Sequence, residues 1–526
     1  MPLSLSRTHL KILTFLCLSI FLFTCQKNDP PVLPGSISVS RPTLSIDTTI
    51  GKTDTFSIQA TIAWKTSIIP STTSWFTIDK TTGKKGETLI TIKITANNKT
   101  ADPQTARIIV SPLEGPGNSD SIIITQKPDT PNLVWKITLG GSDYEQINAL
   151  ARSADGGIFA VGSSSSTDGD ISAHPGNWDA LVIKLDGKGN KQWVKTYGGA
   201  VWDRASAVTP TKDGGCMIAG ETYSNDGDVS GNLTPSDIWI LKLDNTGNIQ
   251  WTKRFGGSGK AEFGYVLLPT PDGNYIVAGT SDGNDGDAIG NKGGMDGIVI
   301  KFDPSGNKIW SKTLGGSMAD YFLAGTITKD GNILLAGESY SKDGDIAVNK
   351  GAFDWWAVKL DQSGNVIWTK TYGGPGTDYV ETVTSSIDGG FLIAGYGSPG
   401  GDLPSGESSS TIMKLDESGN IKWTKRYGYH DDEITSLIQD TNGKYILSGQ
   451  SFRNDPNGDF WLFELSESGD FQWEKTFGGT GRDIAKSVLA NGSGFYIVAG
   501  DVESSDGDVT NYHGLSDAWI IQARRP

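Results

Sequence analysis

The sequence predicts an all-β protein: an immunoglobulin-like β-sandwich followed by a seven-bladed β-propeller closed by its own N-terminal strand. Three observations predict it. Residues 36–127 alternate apolar and polar side chains in short runs rich in Thr, Ile and Val, the pattern of strands with one buried face. Tryptophan then returns as Trp135, Trp193, Trp251, Trp310, Trp368, Trp423 and Trp473, at intervals of 58, 58, 59, 58, 55 and 50 residues. A period in this range marks a repeat array. That array begins with a lone Trp strand, "LVWKITL", and ends at "DAWIIQARRP" without one.

A chain of 526 residues is too long for one ordinary core, so several domains or an array are required. Sixty-eight glycines with 36% apolar residues suit short strands and tight turns rather than helices. The formal charge is −15, or −17 once Arg7 and Lys11 of the first 24 residues are set aside. That argues against nucleic acid, whose phosphates require clustered Lys and Arg.

The chain opens with Arg7 and Lys11, an apolar run "ILTFLCLSIFLF" over residues 12–23, and then "TCQKNDPP". The run is short for a membrane span and has the layout of a secretory signal. With Leu22 before Cys25, the segment resembles a bacterial lipoprotein signal peptide, residues 1–24. The resemblance implies that Cys25 is lipidated and becomes the mature N-terminus, tethering the protein to a membrane without spanning it. Phe23 and Thr24 are bulkier than the small pair usual in such signals. Residues 25–35, rich in Pro and polar side chains, read as a flexible linker. Of three cysteines, Cys17 lies in the signal and Cys216 sits in the apolar strand "GCMIAG", where it is expected to be a small core residue.

Within 36–127 the strands carry "IAW" at 62–64, "SWFTID" at 74–79, "GKKGETLITIKITANN" at 83–98, "TARIIV" and a closing "SIIITQK" with Gln126. This order resembles the BACON family of immunoglobulin-like modules. The resemblance implies a setting among outer-membrane lipoproteins of Gram-negative bacteria that handle glycans at the cell surface, and a carbohydrate-binding role. Trp64 and Trp75 are the sugar-stacking candidates it suggests; the competing reading makes both core residues of a small sandwich.

The array occupies 132–524. Each unit parses into four strands, with Asp-Gly and Gly-Asn dipeptides supplying tight hairpins: "VKTYGG", "RASAVTP", "CMIAGET", a long loop, "IWILKLD" and "NTGN" before the next Trp. Four antiparallel strands repeated radially are a propeller blade. The spare first strand is expected to complete the last blade, leaving no open edge. The phrase "LD..G...W" is similar to the repeats of quinoprotein-like propellers over one hairpin. The cofactor-specific residues of those enzymes are not found, so the likeness is read as convergent turn chemistry.

Ten or eleven residues after each Trp stands a carboxylate: Glu145, Asp203, Glu262, Asp320, Asp378, Glu433 and Asp483. These are expected to ring the mouth of an axial channel. "DGD" recurs as Asp168/Asp170, Asp226/Asp228, Asp285/Asp287, Asp343/Asp345 and Asp506/Asp508, and another Asp opens the following strand in six units. Alternating Asp suits Ca²⁺, although no Glu closes the motif. The competing reading is that these side chains pin loops by bonding backbone N–H groups. Function then points to residues that break the symmetry: Trp178, Trp202, His174, Tyr429, His430, Arg482, Tyr512 and His513. Aromatic rings beside acids suit sugar stacking; local loop packing is the alternative.

No nucleophile-elbow, zincin or P-loop pattern occurs, and there are four histidines, so the expectation is a non-catalytic cell-surface binding protein with a glycan ligand. A scaffold for a protein partner is the second reading, and a glycan lyase or hydrolase the third. Near-equivalent carboxylates argue against the last, because acid and base need different environments.

Overall fold

The computed structural model describes residues 35–46, 51–96, 104–126, 133–171, 176–229, 236–257, 261–406, 408–428, 431–492 and 494–525. Residues 1–34, which hold the expected signal peptide, Cys25 and most of the expected linker, lie outside them. No helix occurs among the described residues. The chain divides into two compact units, 1–129 and 130–526.

The first unit holds two sheets. One orders its strands Ile37–Val39, Thr53–Ala60, Gly86–Ile94, Phe76–Ile78; the other Thr43–Ile46, Asp120–Gln126, Gln104–Pro112, Trp64–Ile69, Thr82–Gly83. Only the Thr43–Ile46 pairing with Asp120–Gln126 is parallel among these. The period-two alternation sends Phe56, Ile58, Ile90 and Ile92 from one sheet, and Ile108, Val110, Ile122 and Ile124 from the other, into one core. Gln126 is fully buried, and its Nε2 donates to the Ala96 carbonyl at 2.8 Å.

The second unit contains seven four-stranded antiparallel sheets among the described residues. Six are consecutive meanders, the first running Glu145–Arg152, Ile158–Ser164, Asp179–Leu185, Lys191–Tyr197. The seventh takes Asp483–Ala490, Phe495–Val502 and Asp517–Arg524, and its fourth strand is Leu133–Leu139 from the start of the unit. The leading strands of the sheets touch in chain order, and Asp483–Ala490 touches Glu145–Arg152 in turn.

The third strands of the six meanders are buried along their whole length because both faces are covered. In Asp237–Leu243, Trp239, Leu241 and Leu243 pack with Phe159 and Val161 of the first sheet. Ile238 and Ile240 pack with Val277 and Ile298 of the third. Cys216 is fully buried in the former cluster, and burial pushes its thiol up to about 12.

The repeated phrase is explained by one grip between sheets. Trp193 Nε1 donates to Asn245 O at 3.2 Å, Lys195 Nζ to Thr246 O at 2.9 Å and Tyr197 OH to Gly247 O at 2.6 Å. All three hold the "NTGN" turn of the next sheet. Gly247 has φ +77°, and a Cβ there would stand 3.1 Å from the Trp193 ring, so both conformation and space select glycine.

Candidate functional site

The seam between neighbouring sheets is built from carboxylates around a glycine. At the first seam Asp179 opens a third strand of one sheet and Asp203 the leading strand of the next. Their Oδ1 and Oδ2 lie 2.5 and 2.6 Å from where a Cβ would stand on Gly198. The same three-part arrangement recurs as Asp237–Gly256–Glu262, Asp296–Gly315–Asp320, Asp354–Gly373–Asp378, Asp459–Gly478–Asp483 and Asp517–Gly140–Glu145. Five of the leading-strand acids, Glu145, Asp203, Asp320, Asp378 and Asp483, accept from the backbone of the second glycine, as in Gly199 N→Asp203 Oδ2 at 2.7 Å and Gly141 N→Glu145 Oε2 at 2.8 Å. Serine or threonine hydroxyls complete the shell: Ser224 Oγ donates to Asp203 Oδ2 at 2.7 Å, and Thr222 to Oδ1.

Burial raises the affinity of several of these groups for a proton. Desolvation, then the Asp203 carboxylate, lifts Asp179 to about 7. Desolvation lifts Glu262 to about 7 and Asp237, Asp296 and Asp459 to about 6, each also facing a neighbouring carboxylate.

These placements correct two expectations. Glu145, Asp203, Glu262, Asp320, Asp378 and Asp483 do not ring a channel mouth; they are at most 1% exposed and locked in seams, because their oxygens are needed by the glycine-loop N–H groups. In the sixth sheet the seam acid is Asp432, whose Oδ1 accepts from Phe452 N at 2.8 Å, while Glu433 points outward. The turn there reads Tyr427-Gly428-Tyr429 and is one residue shorter up to the acid, so counting from Trp423 overshoots.

The "DGD" carboxylates cap loops. Asp168, Asp226, Asp343 and Asp506 accept from the N–H of Ser142, Ala200, Ser317 and Thr480 at 2.7–2.8 Å. Asp170 and Asp345 pair with Lys191 and Lys292 at 2.5 Å, and Asp287 with Lys308. Asp228 and Asp287 accept from Gly198 N and Gly256 N at 3.3 and 3.1 Å. Asp285 stands against Gly257, and the Asp508 carbonyl accepts from Lys136 Nζ. Among the described residues no three His, Cys, Asp or Glu side chains converge so as to hold a metal ion. These hydrogen bonds tie the aspartates to the glycine loops and their neighbours.

Where symmetry breaks, a different surface appears. The residue before each seam acid and the residue before each third-strand Asp meet across the seam, Asp203 N donating to Trp178 O at 2.8 Å and Glu262 N to Ser236 O at 3.1 Å. At the other seams at most one of the two positions carries a large side chain, as in Met295/Ala319, Phe353/Thr377 and Ser516/Tyr144, whereas the first seam holds both Trp178 and Trp202, bridged through their backbones. Their rings lie 6.1 Å apart at 47°, and Tyr144 stacks on Trp178 from the other side at 6.1 Å and 23°. Trp202 is 56% exposed. Beside it opens a cleft of about 280 Å³ lined by Trp178, Trp202, Tyr223, Arg204, Glu221, Gln146 and Ser163.

A second, central cavity of about 340 Å³ receives residues from the leading strands of all seven sheets, among them Asn148, Arg204, Tyr265, Leu323, Glu381, Thr435 and Lys486. Arg482 and Asp501 line it as well. Burial, partly offset by Lys486, lifts Glu381 to about 7, and burial lifts Asp501 to about 6.

The structure thus brings Trp178 and Trp202 together and places Arg482 in the adjoining cavity. Tyr512 is half-buried, its hydroxyl spent on Leu515 O at 2.7 Å, and His513 caps Asp517 through backbone N at 2.7 Å. His174, Tyr429 and His430 lie outside the described residues. Trp64 and Trp75 are buried in the core of the first unit, 0% and 7% exposed, so neither presents a face to a sugar. Sequence reasoning missed Tyr144, Arg204, Glu221 and Tyr223. Tyr144 and Arg204 are signalled only by standing next to a seam acid, a relation that emerges once the acid is known to be buried.

No family model matches the chain. It is 25% identical over 227 residues to the regulatory protein FlaEY of Caulobacter vibrioides, a stretch covering 38% of this chain and 24% of that protein. Among solved structures it is similar to a puromycin hydrolase, at 11% identity and TM-score 0.44 over 69% of this chain and 51% of that one. It is also similar to Sqt1 from Chaetomium thermophilum, at 12% identity and TM-score 0.41 over 75% and 99%. The sheets themselves establish an all-β arrangement of repeated four-stranded antiparallel units among the described residues.

Proposed function

We propose that this chain is a non-catalytic, glycan-binding lipoprotein anchored through Cys25 at the outer-membrane surface of a Gram-negative bacterium. In this reading residues 36–127 form a BACON-like, immunoglobulin-type sandwich and 132–524 a seven-bladed propeller closed by its N-terminal strand. The pairing of Leu133–Leu139 with Asp517–Arg524 and the return of the leading-strand contacts to their start support the closure.

The glycan reading rests on one observation: Trp178 and Trp202 stand side by side at a seam whose other copies pair no two aromatic rings, with Trp202 exposed beside a cleft holding Arg204, Glu221 and Gln146. Flat indole faces bind the C–H faces of sugar rings while flanking polar groups bond hydroxyls. Titration of the purified chain with a panel of polysaccharides tests it. Binding lost on Trp202→Ala, with an unchanged melting temperature, is the expected result. A folded protein that retains nothing from the panel would sink the reading in favour of a protein partner.

One observation favours a glycan-degrading enzyme instead: Glu381 and Asp501 share the central cavity with raised proton affinities, a property of acid catalysts. Release of reducing ends by the wild type, abolished by Glu381→Gln, would establish that alternative.

A further inference from the structure

Gln146 and Arg204 line both the aromatic cleft and the central cavity, so the two spaces adjoin at these side chains. The cavity side of that junction is basic, carrying Arg204, Arg482 and Lys486. Elsewhere in the sheets cations are committed. Lys184, Lys242, Lys301, Lys359 and Lys414 are buried against aspartates at 2.7–2.9 Å. Arg204 and Lys486 form no ion pair among the described residues. Arg204 donates only to Asn148 Oδ1 at 3.2 Å, and Arg482 comes no nearer than 4.0 Å to Glu503.

The acids of the cavity offset these groups only in part. Asp501 accepts from the Ile147 N–H at 2.7 Å and is shared by Lys486, Arg482 and Arg204, and burial, partly offset by Lys486, drives Glu381 toward its neutral form. A chain with 60 acidic and 45 basic residues therefore turns three weakly committed cations toward one cavity next to its aromatic cleft.

We propose that the central cavity is an anion subsite of the glycan site, in which Arg204, Lys486 and Arg482 receive the acidic group of a sugar chain stacked on Trp178 and Trp202. This rests on the glycan reading above and narrows it to acidic polysaccharides. Carboxylate and sulfate share the required chemistry, since the guanidinium fork matches the paired oxygens of either.

The test uses matched probes on the purified full chain. Polygalacturonate is compared with its methyl-esterified form, and a sulfated galactan with its desulfated form. At least one acidic probe is expected to bind about tenfold or more tightly than its charge-blocked partner, and whichever pair shows the gap names carboxylate or sulfate as the source. Lys486→Met should erase the gap while leaving the blocked form's binding intact; Arg204→Met should erase it too, read from the ratio of acidic to blocked binding because Arg204 also lines the cleft; Trp202→Ala should abolish both. Equal binding of acidic and blocked forms, or a gap that survives both cation variants, overturns the anion subsite and leaves the glycan reading standing. A folded chain that binds none of the four probes overturns the subsite, and silence across the wider panel overturns the glycan reading with it.

Discussion

Asp179 and Asp203, which belong to neighbouring sheets, close on Gly198 from opposite sides so that no side chain can start from its Cα. Five further seams repeat the relationship, and it explains why the chain says "GG" after nearly every Trp strand. The seam between the fifth and sixth sheets supplies an internal control. The third strand of the fifth sheet, Ser409–Leu415, lacks the opening Asp, the long loop of the sixth lacks "DGD", and the second glycine is replaced by Tyr429.

Gly198→Ala is therefore expected to destabilise the second unit by about 1–3 kcal/mol, the usual range for forcing a methyl group into packed surroundings. Gly187→Ala, at a turn where only the Gly156 backbone is near, should cost less. Thermal melts of the two variants compare them directly. Equal losses would mean that the seam relaxes freely.

Stability should depend on pH in two opposite windows. Asp179 and Glu262 titrate near 7 in the folded chain, and Asp237, Asp296 and Asp459 near 6, against about 4 when unfolded. Between about pH 4 and 7 the native state holds more protons, so stability falls as pH rises and levels off above 7. Asp155, Asp213 and Asp330 lie at about 2, held by hydrogen bonds from Lys184, Lys242 and Lys359. Their contribution is present above about pH 4 and lost on further acidification. Melting temperature should peak near pH 4–5; a steady rise from pH 5 to 8 would contradict the seam assignment.

Lys242 and Asp213 form a lopsided pair, the lysine 7% and the aspartate 47% exposed. Asp213→Asn leaves an ammonium buried without its counter-ion, whereas Lys242→Met leaves a carboxylate that water can solvate. The aspartate variant should unfold at the lower denaturant concentration. The reverse order would show that the lysine stem, not its charge, carries the interaction.

Tryptophans of the two classes should part company on truncation. Trp64→Ala removes a fully buried ring and should cost about 3–5 kcal/mol in the first unit. Trp202→Ala removes an exposed one and should alter stability by about 0.5 kcal/mol or less. Chemical denaturation followed by circular dichroism distinguishes them. A large loss at Trp202 would make that ring a packing element rather than a ligand platform.

The strands, the turns and the unit length were written locally in the chain. Period-two alternation, glycines at positive φ and a recurring Trp act within a few residues of themselves, so the all-β class and the four-stranded unit could be read from them. Partnership across seams could not. Trp202 and Trp178 are separated by a whole two-stranded hairpin, Asp179–Leu185 and Lys191–Tyr197, and Asp179 meets Asp203 only because one sheet packs on the next. The conserved spacing of the acids looked like a surface ring, yet burial made it a lock. Glu433 shows why: alternation puts successive side chains on opposite faces, so one missing turn residue transfers the buried role to Asp432. Arg204, Lys486 and Glu381 lie on three different sheets, and only the packing of those sheets around a common cavity brings their charges together.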